Sequence, residues 1–320
     1  MRGRRVAVYF SWSRPDEVAA PLGILEHRFP ALFELRRIFW PRYEQFSDPV
    51  KFDQGIAGFL DHIQLANFTL FMHSAAAWTG NPVRCAERGT EQRICALDGE
   101  FLADVDTLIV LSLDSSRTKQ QASASEARAI RSFLDDPGHT VFVCPHHDIG
   151  NTDGLPENEL PGRLELEFHH HGDPAIPASQ SFGGFGVSLL AGLGLPVRNR
   201  FGLRPAKLPN GQPMPLEIAT ELDRSGLMKD VTTFNLHPHL PHFELPGGGA
   251  EKFDVLARQP IDASAPPHPF TMAGRRDFDA LLQSKSGVFG GRLLICDATT
   301  WSSTAGGVES LQTFWRNAVG

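Results

Sequence analysis

The chain has 320 residues, 41% of them apolar, and a formal net charge of −7. That length suits one large α/β domain or two small ones, with a substantial buried core. Beyond the opening MRGRR no stretch gathers Lys and Arg on one face, which argues against a nucleic-acid backbone as partner.

RVAVYF (5–10) is a short apolar run rich in β-formers and reads as a first buried strand. It follows basic residues but is too short for a signal-peptide core and shows no cleavage-like site. The polar SWSRPDE (11–17) follows as a loop. Ser11 and Arg14 on that loop are candidate substrate contacts, Arg14 suiting an anion, although arginines on such loops are most often solvated. A helical segment near 18–28 leads to FELRRIFWP, a second strand closed by Pro41. Residues 47–100 are predicted as a helical insertion. Within GIAGFLDHIQLANFTLFMHSAAAW (55–78), Ile56, Phe59, Leu60 and Ile63 fall at helical spacing, while Asp61, His62, Gln64, Asn67 and His73 interrupt the apolar run. That pattern predicts an amphipathic core helix and no membrane span.

DTLIVLSLD (106–114) is a predicted buried strand, and SSRTKQQ a loop. SASE (123–126) has capping-box spacing ahead of ARAIRSFL, so a helix starts there and ends at DDPGH, before a further strand at TVFVC. Strand, helix and strand in this order form a βαβ unit with parallel strands and a right-handed crossover. Residues 151–215 are predicted as a loop-rich insertion with one helix at GGFGVSLLAGLGL. Those glycines follow no apolar strand, so tight packing explains them better than a dinucleotide fingerprint. TTFNL (232–236), FDVLARQ (253–259) and GRLLICD (291–297) are predicted strands, and GGVESLQTFWRNAV (306–319) an amphipathic helix. No repeat or low-complexity linker divides the chain, so residues 1–320 are predicted as a single α/β domain with insertions.

Eight of the 13 histidines fall between 146 and 242, as HH (146–147), HHH (169–171) and HPHLPH (237–242). His146, His147 and Asp148 end the TVFVC strand, at the edge where open α/β sheets place ligands. Imidazole with carboxylate suits zinc, iron or manganese, whereas a polar turn would use the same residues merely to satisfy backbone groups. Pro238 and Pro241 favour extended backbone, in which His237 and His239 project from one face and could share an ion. His170, with its neighbours His169 and His171, could complete the set, or belong to a solvated run. Cys144 is a candidate nucleophile if a neighbouring histidine lowers its pKa, or an inert buried thiol if none does. The four cysteines lack metal-finger spacing, and a reducing cytoplasm is the simplest compartment for them.

DTLIVLSLD, ASEARAIRSFLDDPGHTVFVCPHHD, FDVLARQ and GRLLICDATTW before the closing helix together resemble the class I glutamine amidotransferase-like superfamily, and within it the trehalose-utilisation (ThuA-like) group. The resemblance covers about half the chain, without long identical motifs. It implies a mostly parallel, flavodoxin-like sheet flanked by helices, closing on a strand with an aspartate, as at Asp297, and then a helix. Asp297, following that strand, could line the pocket as a candidate substrate contact. At the elbow, where amidotransferases carry Gly-Ile-Cys-x-Gly and ThuA-like proteins resemble Gly-Ile-His, this sequence places His146 at the turn and Asp148 where the second glycine would stand. That departure weakens a glutaminase reading. The expected function is a metal-dependent hydrolase or lyase acting on a small polar molecule, an amide or a sugar-like compound. A divalent ion, zinc foremost, would be held by His146, His147, His237 and His239, with Asp148 as general base and a homo-oligomer compatible with it. The alternatives are a Cys144-dependent thiol hydrolase and a non-catalytic ligand-binding protein.

Overall fold

The structure is a computed structural model that describes residues 3–18, 65–89, 94–148, 157–162, 181–264 and 269–320. The predicted segments at 19–28 and 33–41, the 55–64 part of the predicted helix, and His169, His170 and His171 lie outside the described residues.

Ten strands are described: β1 (Val6–Ser13), β2 (Arg84–Gly89), β3 (Thr107–Ser112), β4 (Thr140–Pro145), β5 (Arg198–Leu203), β6 (Glu217–Ile218), β7 (Leu240–Glu244), β8 (Phe253–Pro260), β9 (Asp277–Ser284) and β10 (Arg292–Cys296). Eight form one sheet in the order β2-β1-β3-β4-β10-β9-β8-β6, and β5 pairs with β7 in a second, two-stranded sheet. From β2 to β10 every neighbour is parallel, and β9, β8 and β6 extend the sheet antiparallel. The parallel half has the strand order of flavodoxin-like α/β folds, as expected from the βαβ unit.

β1, β3 and β4 are buried along their whole length, because helices cover both faces of a parallel sheet. Side chains alternate between two layers. Val8, Phe10, Phe142 and Cys144 enter one layer with Trp301 and Trp315, while Ala7, Tyr9, Val141 and Val143 enter the other with Phe185 and Leu189. The seven described α-helices are α1 (Arg14–Val18), α2 (Ala66–Thr79), α3 (Gly99–Leu102), α4 (Ala124–Phe133), α5 (Gly184–Gly192), α6 (Pro269–Met272) and α7 (Val308–Val319). α4 begins at the predicted capping box, with Ser123 and Glu126 each satisfying the other's backbone N–H. α7 buries Leu311, Phe314, Trp315 and Ala318, the i, i+3, i+4, i+7 stripe that its sequence carries.

The structure departs from the sequence reading in several places. SWSRPDE, predicted as a loop, is the end of β1 and most of α1, and the predicted loop-rich 151–215 insertion carries the strand β5. RCAERG, inside the predicted 47–100 insertion, is the edge strand β2, whose polar residues face solvent along part of its length. TTFNL joins no sheet. Its backbone is held piecemeal by Leu216, Ala305 and the Ser310 hydroxyl. DFDALLQS, not predicted, is the buried strand β9 between β10 and β8.

After β4 the chain leaves the carboxyl edge of the sheet under tight control. His146 N–H donates to Ser112 O at 3.1 Å, Phe182 N–H to His147 O at 3.0 Å, and Asp148 N–H to Asn199 O at 2.8 Å. The 146–148 segment is thereby fixed between β3, the entry to α5 and the small β5–β7 sheet. Among the described residues no helix is long and apolar enough to cross a membrane.

Candidate functional site

Four imidazoles from the two distant histidine groups meet at the end of β4. The ring of His146 lies 4.3 Å from that of His147 and 4.9 Å from that of His237, centroid to centroid. His239 closes the figure, 5.8 Å from His147 and 5.7 Å from His237. Phe182 packs against His146 and His147 at 5.6 and 5.2 Å as an apolar wall. His146 and His147 are buried, while His237 and His239 are half-buried, so the cluster reaches solvent on the HPH side.

A polar chain links the two groups from beneath. His146 Nδ1–H donates to Asp297 Oδ2 at 2.8 Å. Oδ1 of the same carboxylate accepts from Thr299 N–H at 2.8 Å and from the Thr299 hydroxyl. Asn235 Nδ2 donates to Thr299 Oγ1 at 3.2 Å, and Asn235 Oδ1 accepts from His237 N–H at 2.9 Å. Burial alone would raise the Asp297 carboxyl. His146, His237 and Thr299 more than offset it, and the group stays ionised below the usual carboxylate range. An ionised acceptor fixes the proton of a neutral His146 on Nδ1 and leaves Nε2 as its open lone pair.

His237 is held neutral. Burial, and then the neighbouring His146, lower it to about 4. Its Nδ1 accepts from His239 N–H at 3.3 Å, so a neutral His237 carries its proton on Nε2.

The cluster has the donor set of a metal-binding site: imidazoles with a carboxylate behind one of them. Four imidazoles around one tetrahedral ion, at ~2.0–2.1 Å per nitrogen, have ring centroids roughly 5 Å apart, close to the spacing here. Among the described residues no three His, Cys, Asp or Glu side chains converge as an ion requires. The His237 contact shows one reason, because its 3.3 Å bond must open before that ring offers a lone pair. Rotation of exposed or half-buried rings is inexpensive compared with the backbone placement already achieved.

The other candidates are placed elsewhere. Asp148 is half-buried, and its backbone bridges to Ser181 and Arg200. Cys144 is fully buried, receives Trp301 Nε1–H at 3.2 Å and lies 3.7 Å from Cys296 Sγ. Burial and then Cys296 push that thiol well above its ordinary value, the opposite of what a nucleophile needs. Ser11 is buried, and its hydroxyl donates to Asp114 Oδ1 at 2.5 Å. Arg14 grips Glu87 of β2 through two bonds of 3.0 and 2.5 Å. Asp297, a candidate substrate contact, orients His146. His242 of the HPHLPH run turns away, packing on Phe270 at 4.8 Å and accepting from Asp279 N–H at 3.3 Å.

Sequence reasoning missed Asn199 and Asn235. Isolated amides carry no spacing signal, and the bonds that Asn199 and Asn235 donate through Nδ2 span 17 to 64 residues. It also missed the role of Asp114, which lies at the carboxyl end of β3, where the chain order of the sheet switches. Its carboxylate accepts from Ser11, Ser112 and the N–H of Phe185 at the start of α5, and burial raises its pKa. The acid at the end of an apolar run was the available signal.

No protein-family model matches the chain, and a search of curated proteins finds no match.

Proposed function

We propose that the chain is a metal-dependent hydrolase or lyase for a small polar molecule, an amide or a sugar-like compound. A divalent ion, zinc foremost, would be held by His146, His147, His237 and His239. The observation that carries this reading is the meeting of two histidine pairs, about 90 residues apart in sequence, over a carboxylate that fixes one tautomer. The parallel strand order and the histidine at the elbow also support a place in the amidotransferase-like superfamily near its ThuA-like group.

A bound ion would acidify water or polarise a carbonyl. The chain's own residues do the rest. Asp297 holds His146 in the tautomer that directs Nε2 away from the carboxylate, and the Thr299–Asn235 bridge transmits that placement to the HPH segment. Phe182 keeps water from one side of the cluster. Asp148, two residues beyond His146 and half-buried, is assigned to accept the proton. The deep burial and raised pKa of Cys144 place the thiol reading second.

The test is metal analysis of protein purified without a nickel column, alongside a hydrolase screen with and without chelator. Near-stoichiometric zinc, iron or manganese with chelator-sensitive turnover is expected. Less than about a tenth of an equivalent, after incubation with each ion, rejects the reading. Stoichiometric metal without turnover on any amide or glycoside favours a ligand-binding protein instead.

A further inference from the structure

A polar cavity lies at the opposite, amino-terminal edge of β10, where β9 ends. It has a volume of about 300 Å³, and its lining includes Arg224, Gln283, Ser284, Lys285, Ser286 and Arg292. The histidine cluster contributes no residue to it.

Its charges are unevenly matched. Lys285 Nζ donates to Ala250 O at 3.0 Å and stands 3.9 Å from Asp254. Arg224 reaches the Ser286 hydroxyl. Arg292 Nη2 donates to Thr140 Oγ1 at 3.1 Å, and Arg4 Nη2 donates to the same hydroxyl at 3.2 Å. Two guanidiniums therefore converge on one neutral oxygen. Burial and then the Arg4 charge lower the Arg292 pKa, with Asp223 acting in the opposite sense. Asp223 is itself engaged by the backbone N–H groups of Leu227 and Met228 at 2.9 and 2.7 Å. An anion entering the cavity would relieve the repulsion between these cations.

The second, independent sign is Gln283. Its side chain is 6% exposed, and among the described residues its Oε1 has no hydrogen-bond partner. A buried amide acceptor left without a donor costs about 1–3 kcal/mol, so it is a feature that a ligand hydroxyl would satisfy. Beside it the Ser284 hydroxyl accepts Leu293 N–H at 3.3 Å and keeps its own proton to donate. The volume is at the lower end of small-molecule sites, too small for a macromolecular partner to insert more than a side chain.

We propose that this cavity binds a small hydroxylated phosphate ester, with Arg224, Lys285 and Arg292 on the phosphate and Gln283 Oε1 accepting from a hydroxyl. The site is independent of the histidine cluster.

The experiment is calorimetric titration of the full chain with inorganic phosphate and with glycerol 3-phosphate, at low ionic strength and with chelator present. Chelation prevents phosphate from binding through an ion at the histidines. Both probes should bind, the ester more tightly. Arg224→Ala with Lys285→Ala, changes confined to an exposed and a half-buried side chain, should weaken both by roughly tenfold or more. Gln283→Met, of similar shape, should leave inorganic phosphate unchanged and remove the preference for the ester. Melting curves that match wild type show that each variant is folded. Wild-type affinity in the double variant, or no binding of either probe up to about 10 mM, overturns the site. Equal affinity of the two probes for the wild-type chain overturns the assignment of Gln283.

Discussion

His237 is the residue whose environment has the clearest consequence in solution. Its folded pKa of about 4 lies below its ordinary 6.5, so between those values the unfolded chain takes up a proton that the folded chain refuses. Stability should therefore fall as pH drops from 6.5 towards 4. The loss is on the order of 1–2 kcal/mol by pH 5, from the gap between the two values. In chelated protein, His237→Asn should flatten that part of the melting-temperature profile. An unchanged profile would show that the ring titrates normally. Cys144 makes the opposite kind of statement. Full burial against Cys296 and Trp301 predicts alkylation by iodoacetamide far slower than that of the exposed Cys85, read by mass mapping at neutral pH. Faster labelling at Cys144 would restore the thiol mechanism. The sequence supplied both histidine pairs and this cysteine as candidates. It did not decide among them, because whether a thiol is a nucleophile or a core atom depends on which face of β4 it occupies.

The element that sets the site is the junction of β4 with the entry to α5. Gly183 there has φ +82°, and a Cβ would stand 2.8 Å from Pro145 Cβ, 2.9 Å from Asn199 Nδ2 and 2.9 Å from His146 O. Asn199 Nδ2 also donates to the His146 and Phe182 carbonyls at this point. Gly183→Ala thus combines left-handed backbone strain of about 1–2 kcal/mol with a clash against the segment that aims His146. Gly194 supplies the comparison, with φ +74° and nothing within 4 Å of its virtual Cβ. In chemical denaturation Gly194→Ala should show the strain alone, and Gly183→Ala at least twice that loss. Equal losses would mean that the junction relaxes freely. The βαβ unit was legible because SASE, the apolar strands and the DDPGH stop all agree locally. β2 and β9 were not. RCAERG is an edge strand with a polar face, and DFDALLQS is buried at nearly every position from Phe278 onward, so neither shows alternation.

At the scale of the molecule, the proposed ion would join the sheet edge to the β5–β7 sheet, and binding only the native state it would stabilise the fold. At an ion concentration a hundredfold above Kd the gain is about 2.7 kcal/mol, a few degrees in Tm for a chain of this size. Chelation should remove it. His146→Ala and His239→Ala should each abolish most of the chelator-dependent shift in scanning calorimetry, while His73→Ala, on the exposed side of α2, should leave it whole. A wild-type shift in both site variants would show that these histidines share no ion.

The sequence by itself determined the parallel α/β class, the βαβ unit, the closing helix and the histidine groups worth watching. Those follow from periodicity, caps and turn residues, whose physics acts over a few neighbouring positions. Only the tertiary structure decided that His146 and His147 meet His237 and His239, that Asp297 orients an imidazole, that Arg14 belongs to Glu87, and that Cys144 faces the core. Each of these depends on which strands lie side by side and on which face a residue occupies. Contacts between residues tens to hundreds of positions apart are set by the burial of whole faces of the sheet, which no local pattern encodes.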